Sequence, residues 1–265
     1  MWAEVADGRK MSVEASESIS GGVAPPLGVP SPEVRALGRE NDYKFFIGKR
    51  LFRRAFEALA VPYLHGRVLD VGAGSALFAE SLRATRYVAL ERETMFRPAV
   101  VASATMLPFV GGSFDGVICT EVLEHLPDPR ICLREIVRVL SPGGHVYVTA
   151  PMLWSLHYEP HDYYRFTGYG LRILAEEVGL EVLRVEPIGG LFSFVSMRLC
   201  EKLFNLAKSL GFFLPRRQRV SWAALWVVPL AAGLGEIAGV LERGKRRDVF
   251  DWVMLARKKE GTPDI

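Results

Sequence analysis

The stretch Val68–Ala76, VLDVGAGSA, constrains the chain more than any other. It starts as a short apolar run, suited to a buried parallel strand with apolar side chains on both faces. The run takes in Asp70 and then meets Gly72, Ala73 and Gly74. Glycine there lets the backbone turn tightly and approach a ligand with no Cβ in the way. ALFAESLRA, residues 76–84, follows and reads as a helix. Strand, glycine turn and helix is the layout of a nucleotide-binding loop, although a βα turn with no ligand gives the same pattern.

The surrounding residues narrow the nucleotide. A phosphate-binding loop needs a Lys-Ser or Lys-Thr pair, and none follows these glycines. A dinucleotide loop has a third glycine for close helix packing, where this chain has Leu77. Asp70 would repel a pyrophosphate and attract an ammonium group. YVAL, residues 87–90, reads as the second strand and ends at Glu91, 19 residues after Gly72. A carboxylate at that point can accept from both ribose hydroxyls, each charge-assisted bond being worth about 1.5–3 kcal/mol. A ligand with a ribose, an amino-acid end and no phosphate is S-adenosylmethionine.

Three segments carry a resemblance: VLDVGAGSA, LPFVGGSFDGVICTEVLEHLPDP and REIVRVLSPGGHVYVTAP. Together they resemble the class I S-adenosylmethionine-dependent methyltransferases, in the subgroup called methyltransferase type 11. The likeness runs from about Arg67 to Glu186 and departs from the usual pattern at two positions. Ala76 stands where glycine is common, and Ser103 stands where an Asp for the adenine amine is common. The Ser103 hydroxyl or the Ala104 amide would then substitute for that Asp. The resemblance also sets Thr120 and Glu121 at the cofactor rim and His125 in the reaction region. For Glu124, a charge favoured at a helix start is the preferred reading.

The pattern continues with strands at 99–102, 114–119 and 145–150 and helices at about 129–139 and 168–178. Thr167 is placed to cap the last of these. Such alternation implies a Rossmann-like α/β fold, a seven-stranded sheet flanked by helices, with ligands beyond the carboxyl ends of the strands. The segment after the fifth strand, PMLWSLHYEPHDYYRFT, crowds His157, His161, Asp162, Tyr163, Tyr164 and Arg165 together. A run so rich in titratable groups makes a poor core segment. It reads either as a substrate-orienting loop with a general base or as a loop tied down by Arg165 and tyrosine hydrogen bonds. His125, His157, His161 and Tyr163 are the catalytic candidates. No metal is expected, since Pro160 forbids the continuous helix that would align His157 with His161.

Four regions follow. Residues 1–40, rich in Ser, Gly and Pro, read as disordered or loosely docked and lack the pattern of a signal peptide. Residues 41–189 form the methyltransferase domain. It opens with an amphipathic helix over 41–60 bearing Leu51, Phe52, Phe56 and Leu59, where Tyr43 reads as a core or surface residue, with closure over the cofactor as the alternative. Residues 190–247 are an α-helical insertion before the last strand, and residues 248–265 hold that strand and a tail. The insertion joins an amphipathic run, 191–214, to a mostly apolar one, 222–241, with basic patches beside the second. It reads as a helical cap, a homodimer element or a peripheral membrane-surface element.

The net charge of +3 argues against a nucleic-acid partner. Cys119, Cys132 and Cys200 have neither metal nor disulfide spacing, which suits a cytoplasmic protein, with the membrane surface as the alternative setting. The expected activity is methyl transfer from S-adenosylmethionine to an O, C or N nucleophile of a small, lipophilic or lipid-linked acceptor. The alternative is a non-catalytic interaction module, or one recruited to membranes. The cofactor set is Asp70, Gly72, Ala73, Gly74, Glu91, Ser103, Ala104, Thr120 and Glu121.

Overall fold

The computed structural model describes residues 46–210 and 248–260, with single helical positions between 230 and 241. The readings for residues 1–45, Tyr43 among them, lie outside the described residues. So does most of the apolar run 222–241 with its flanking basic patches.

Helix α1, Phe46–Leu59, opens the described chain. Strands β1 (His65–Val71), β2 (Arg83–Glu91), β3 (Val100–Val101) and β4 (Phe114–Thr120) follow. Then come α2 (Pro129–Val139), β5 (Leu140–Pro151), α3 (Gly168–Glu177), β6 (Leu180–Ile188), α4 (Leu191–Leu210) and β7 (Asp251–Lys258). The seven strands form one sheet in the order β3-β2-β1-β4-β5-β7-β6. β1 to β5 are parallel, and β7 runs antiparallel between β5 and β6. The strand order therefore reverses between β1 and β4, where open α/β sheets bind their ligands.

Strand periodicity divides the core into two layers. Leu69, Val117, Val146 and Met254 pack with Leu133 and Ile136 of α2 and with Leu171 and Ala175 of α3. Val68, Ile118, Tyr147 and Val253 pack on the other face with Phe56 of α1 and with Met197, Cys200 and Phe204 of α4. Asp128 caps α2 by accepting from the Arg130 amide at 3.0 Å, with Pro129 in the first turn. Thr167 caps α3, as its position in the sequence implies, by accepting from the Gly170 amide at 3.0 Å.

The helix expected over 76–84 does not form. Turns and a single 3-10 turn, Ala79–Ser81, occupy the segment, and β2 already begins at Arg83. Two causes act together. Ala76 adopts the left-handed region at φ +52°, which ends any helical run there. Phe78 stacks on Phe56 of α1, ring centroids 4.3 Å apart, and meets Tyr147 edge-on. The sheet face that a helix after β1 would cover is thus taken by α1.

β6 is parallel to β1–β5 and ends at the same rim as they do, and the insertion leaves the sheet from that end. No helix among the described residues is long and apolar enough to cross a membrane. Cys119, Cys132 and Cys200 are buried free thiols.

Candidate active site

A cleft of about 280 Å³ opens at the carboxyl ends of β1, β2, β3 and β4. Its volume lies near the lower end of the roughly 300–1,000 Å³ usual for ligand pockets. Gly72 and Gly74 form one wall, Glu91, Arg92 and Glu93 the next, and Ala102, Ser103 and Ala104 a third. Glu121, Val122, His125, Tyr158 and His161 close the far side.

Gly72 sits at φ +69°, and a Cβ there would lie 2.4 Å from Val122 Cγ2, so the loop can carry no side chain at this turn. Gly74, at φ +48°, would direct a Cβ into open space. The Gly74 amide donates to Glu91 Oε2 at 3.0 Å, and the Arg92 and Glu93 amides donate to Oε1 at 2.7 and 3.2 Å. Three backbone donors thus fix the Glu91 carboxylate at the end of β2, facing the glycine loop. Its lone pairs on the cleft side suit vicinal hydroxyls.

Asp70 lies beneath the loop and does not line the cleft. It is 2% exposed and accepts from the Tyr87 hydroxyl at 2.5 Å, and its Oδ1 has no hydrogen-bond partner. Burial pushes its carboxyl up to about 7, against the Tyr87 bond, and the nearby Glu91 charge adds to the rise. Ala73 donates its amide to the Leu90 carbonyl and packs behind the loop. Ser103 bonds to the Thr105 hydroxyl and amide, which shapes the turn bearing Ala104.

A second set of acids surrounds the end of β4. Thr149 donates to Glu121 Oε1 at 2.7 Å. Withdrawal from solvent pushes the Glu121 carboxyl up to about 7, against this bond and one with Asp251. Asp251, 1% exposed at the start of β7, is pushed well above the usual carboxylate range by burial and by the charges of Glu121 and Glu124. A carboxyl–carboxyl bond between Glu121 and Asp251 needs one shared proton.

Glu124 stands in the first turn of a short helix, as the sequence reading has it, but not as a solvated charge. It is fully buried in the 3-10 turn Leu123–His125, and neither carboxylate oxygen has a hydrogen-bond partner. Burial and then the Glu121 charge push it well above the carboxylate range. An exposed charge at a helix start would be solvated, and this one is not. His125 Nε2 lies 3.7 Å and His157 Nε2 4.0 Å from Glu124 Oε1. His125 Nδ1 contacts the His161 carbonyl oxygen at 2.5 Å, and a carbonyl can only accept, so Nδ1 carries the proton. Burial lowers the His157 pKa, and neighbouring His125 lowers it further.

The loop after β5 shows what holds these groups. The Arg165 guanidinium donates to both Asp162 oxygens, at 2.6 and 2.8 Å, and to the carbonyls of Trp154, Ser155 and Tyr164. Those bonds hold Asp162 well below the usual carboxylate range. Tyr164 donates to the Pro127 carbonyl, and Tyr158 spans the cleft mouth to donate to Glu93 Oε1 at 2.9 Å. The tied-down reading of this loop is therefore correct, and its ties bring His157 and His161 toward the end of β4. His161 faces the cleft, with Nδ1 3.0 Å from the Tyr163 hydroxyl.

Of the expected residues, Gly72, Gly74, Glu91, Ser103, Ala104, Glu121, His125 and His161 line the cleft. Asp70, Ala73, Thr120, His157 and Tyr163 stand behind or beside it. Asp251 was invisible in the sequence, since only the return of β7 beside β5 brings it to Glu121.

A glycine loop, a carboxylate at the end of β2 and a cleft at the reversal of a seven-stranded sheet follow the layout of Rossmann-like folds. Residues 69–148 match the family described as a methyltransferase domain. Over that stretch the chain is similar to the class I S-adenosylmethionine-dependent methyltransferases of the type 11 group. A protein from Mycobacterium sp. (strain JLS) named as an uncharacterized methyltransferase is 44% identical over 107 residues, covering 36% of this chain and 42% of that relative. A ubiquinone biosynthesis O-methyltransferase of Xanthomonas oryzae pv. oryzae (strain PXO99A) is 33% identical over 100 residues, covering 31% of this chain and 42% of its own. The chain thus spans about two fifths of the length of the curated relatives it matches. The fold also matches Haemonchus contortus phosphoethanolamine N-methyltransferase 2, solved with S-adenosyl-L-methionine. There the TM-score is 0.52 and identity 18%, over 87% of this chain and 60% of the other.

Proposed function

We propose that the protein transfers the sulfonium methyl group of S-adenosylmethionine to an oxygen of a small acceptor. The observation that carries this reading is the Glu91 carboxylate, fixed by three backbone amides opposite Gly72 and Gly74 across a cleft whose far wall bears imidazoles. Glu91 would hold the ribose hydroxyls, and the Ser103–Ala104 turn would meet the base. The amino-acid end would lie over the glycine loop, above the buried Asp70.

The acceptor would enter from the His161 side. When bound, S-adenosylmethionine would supply an activated methyl group to the acceptor oxygen, with the electrons of the carbon–sulfur bond staying on sulfur and a neutral thioether as leaving group. His161, on the cleft wall, takes the hydroxyl proton, and Tyr163 orients the ring through Nδ1. The donor is already activated, so most of the rate gain comes from alignment, which can supply about 7–11 kcal/mol. An oxygen acceptor agrees with the O-methyltransferase name of one relative and with a proton-accepting group at the cleft. Calorimetric titration with S-adenosylmethionine and with NAD tests the reading. Micromolar binding of the first and none of the second supports it, and no binding of S-adenosylmethionine overturns it.

A further inference from the structure

We propose that Glu124, His125 and His157 form a binding site for one divalent transition-metal ion, zinc by its donor set, beside the cleft. One ligand atom from each of the three lies within 4.8 Å of the other two. In a tetrahedral zinc site with bonds of about 2.0–2.1 Å, neighbouring ligand atoms stand about 3.3–3.4 Å apart. The gaps of 3.7 and 4.0 Å from Glu124 Oε1 to the two Nε2 atoms need only a small inward shift.

Two independent observations point to a ligand. The first is Glu124 itself, a fully buried carboxyl with neither oxygen partnered. Leaving such a group unsatisfied costs about 1–3 kcal/mol, and more if it is charged. A cation between it and the imidazoles satisfies it. The second is the outer support of both rings. His125 presents its Nδ1 to the His161 carbonyl, and His157 Nδ1 faces Asp162 Oδ2 at 3.3 Å, itself fixed by Arg165. Imidazoles that bind metal through Nε2 are commonly oriented in this way, by a carbonyl or carboxylate at the other nitrogen. Both Nε2 atoms then carry lone pairs toward Glu124.

Two nitrogens and one carboxylate suit zinc, manganese or iron better than magnesium or calcium, which prefer all-oxygen sets. Three protein ligands leave a further position open, and His125 belongs to the cleft wall. An oxygen of the acceptor can occupy that position. This last role rests on the methyl-transfer reading, whereas the binding of the ion does not.

The test uses the full chain, stripped with chelator and titrated with Zn²⁺ in a calorimeter, with metal content measured after dialysis. One ion per chain with a micromolar or tighter Kd is expected. Glu124→Gln keeps the shape and should weaken binding at least tenfold, as should His157→Asn in the partly exposed loop. His161→Ala should leave binding unchanged. Absence of stoichiometric binding overturns the site, and so does unaltered binding in both the Glu124 and His157 variants. Titration of the same samples with S-adenosylmethionine reads the cofactor site separately, so failure of one site is not mistaken for failure of the other.

Discussion

Glu91 and Asp70 lie on neighbouring strands, yet their surroundings give them opposite tasks. Glu91 is held by three amides and faces the cleft. Glu91→Gln should weaken S-adenosylmethionine binding roughly 10- to 100-fold, the loss of one or two charge-assisted bonds, read by calorimetry. Asp70 is held protonated up to about 7 by burial, while in the unfolded chain it ionises near about 4. Between those values the folded state binds the extra proton, so the contribution of Asp70 to stability falls as pH rises from about 4 to 7 and levels off above. Asp70→Asn keeps an acceptor for Tyr87 and should lack this fall. Its melting temperature should therefore exceed that of the parent at pH 8 and match it near pH 4. A parallel course for the two proteins would contradict the assignment. Positions where a backbone turn demands a residue type, as at Gly72 and Gly74, are legible in the sequence. The surroundings of Glu124 and Asp251 are not, because they are set by burial between segments remote in sequence. Ala76 shows the intermediate case. Glycine is common there in the resembled group, and the left-handed φ of +52° supplies the physical reason.

At the scale of elements, caps and periodicity made α2 and α3 legible almost to the residue, because Asp128-Pro129 and Thr167 act locally. The segment 76–84 failed as a helix because its fate depends on α1, a partner that no local pattern reveals. Phe56 is the hinge of that exchange, stacked on Phe78 and set edge-on to Tyr147. Phe56→Ala should cost about 3–5 kcal/mol in denaturant unfolding. The loop after β5 depends on one guanidinium with four partner residues. Arg165→Lys keeps the charge and loses the planar fork. It should speed limited proteolysis between residues 152 and 166 severalfold, with little change in the unfolding of the sheet. Equal acceleration throughout the chain would show that the loop has no stability of its own to lose.

At the scale of the whole molecule, the insertion contributes to the core. Met197, Cys200 and Phe204 of α4 are buried beside Phe56 and Val253. Phe204→Ala should therefore cost about 3–5 kcal/mol and lower the melting temperature by roughly 10 °C. An insertion that was only appended would leave the melting temperature unmoved. The amphipathic character of Leu191–Leu210 is legible in the sequence, but not the surface it meets, since any apolar stripe suits several partners equally.

The last strand enters the sheet between two strands made earlier. While a ribosome is still extending the nascent chain, β5 and β6 have both emerged but cannot pair, because the place between them awaits residues 251–258. Over the synthesis of some sixty further residues, each presents an unsatisfied edge, the situation in which strands join the wrong neighbour. Asp251 arrives with that same strand, so the proton shared with Glu121 is set only when the sheet closes. Entry of β7 into the sheet therefore also completes the acid cluster beside the cleft.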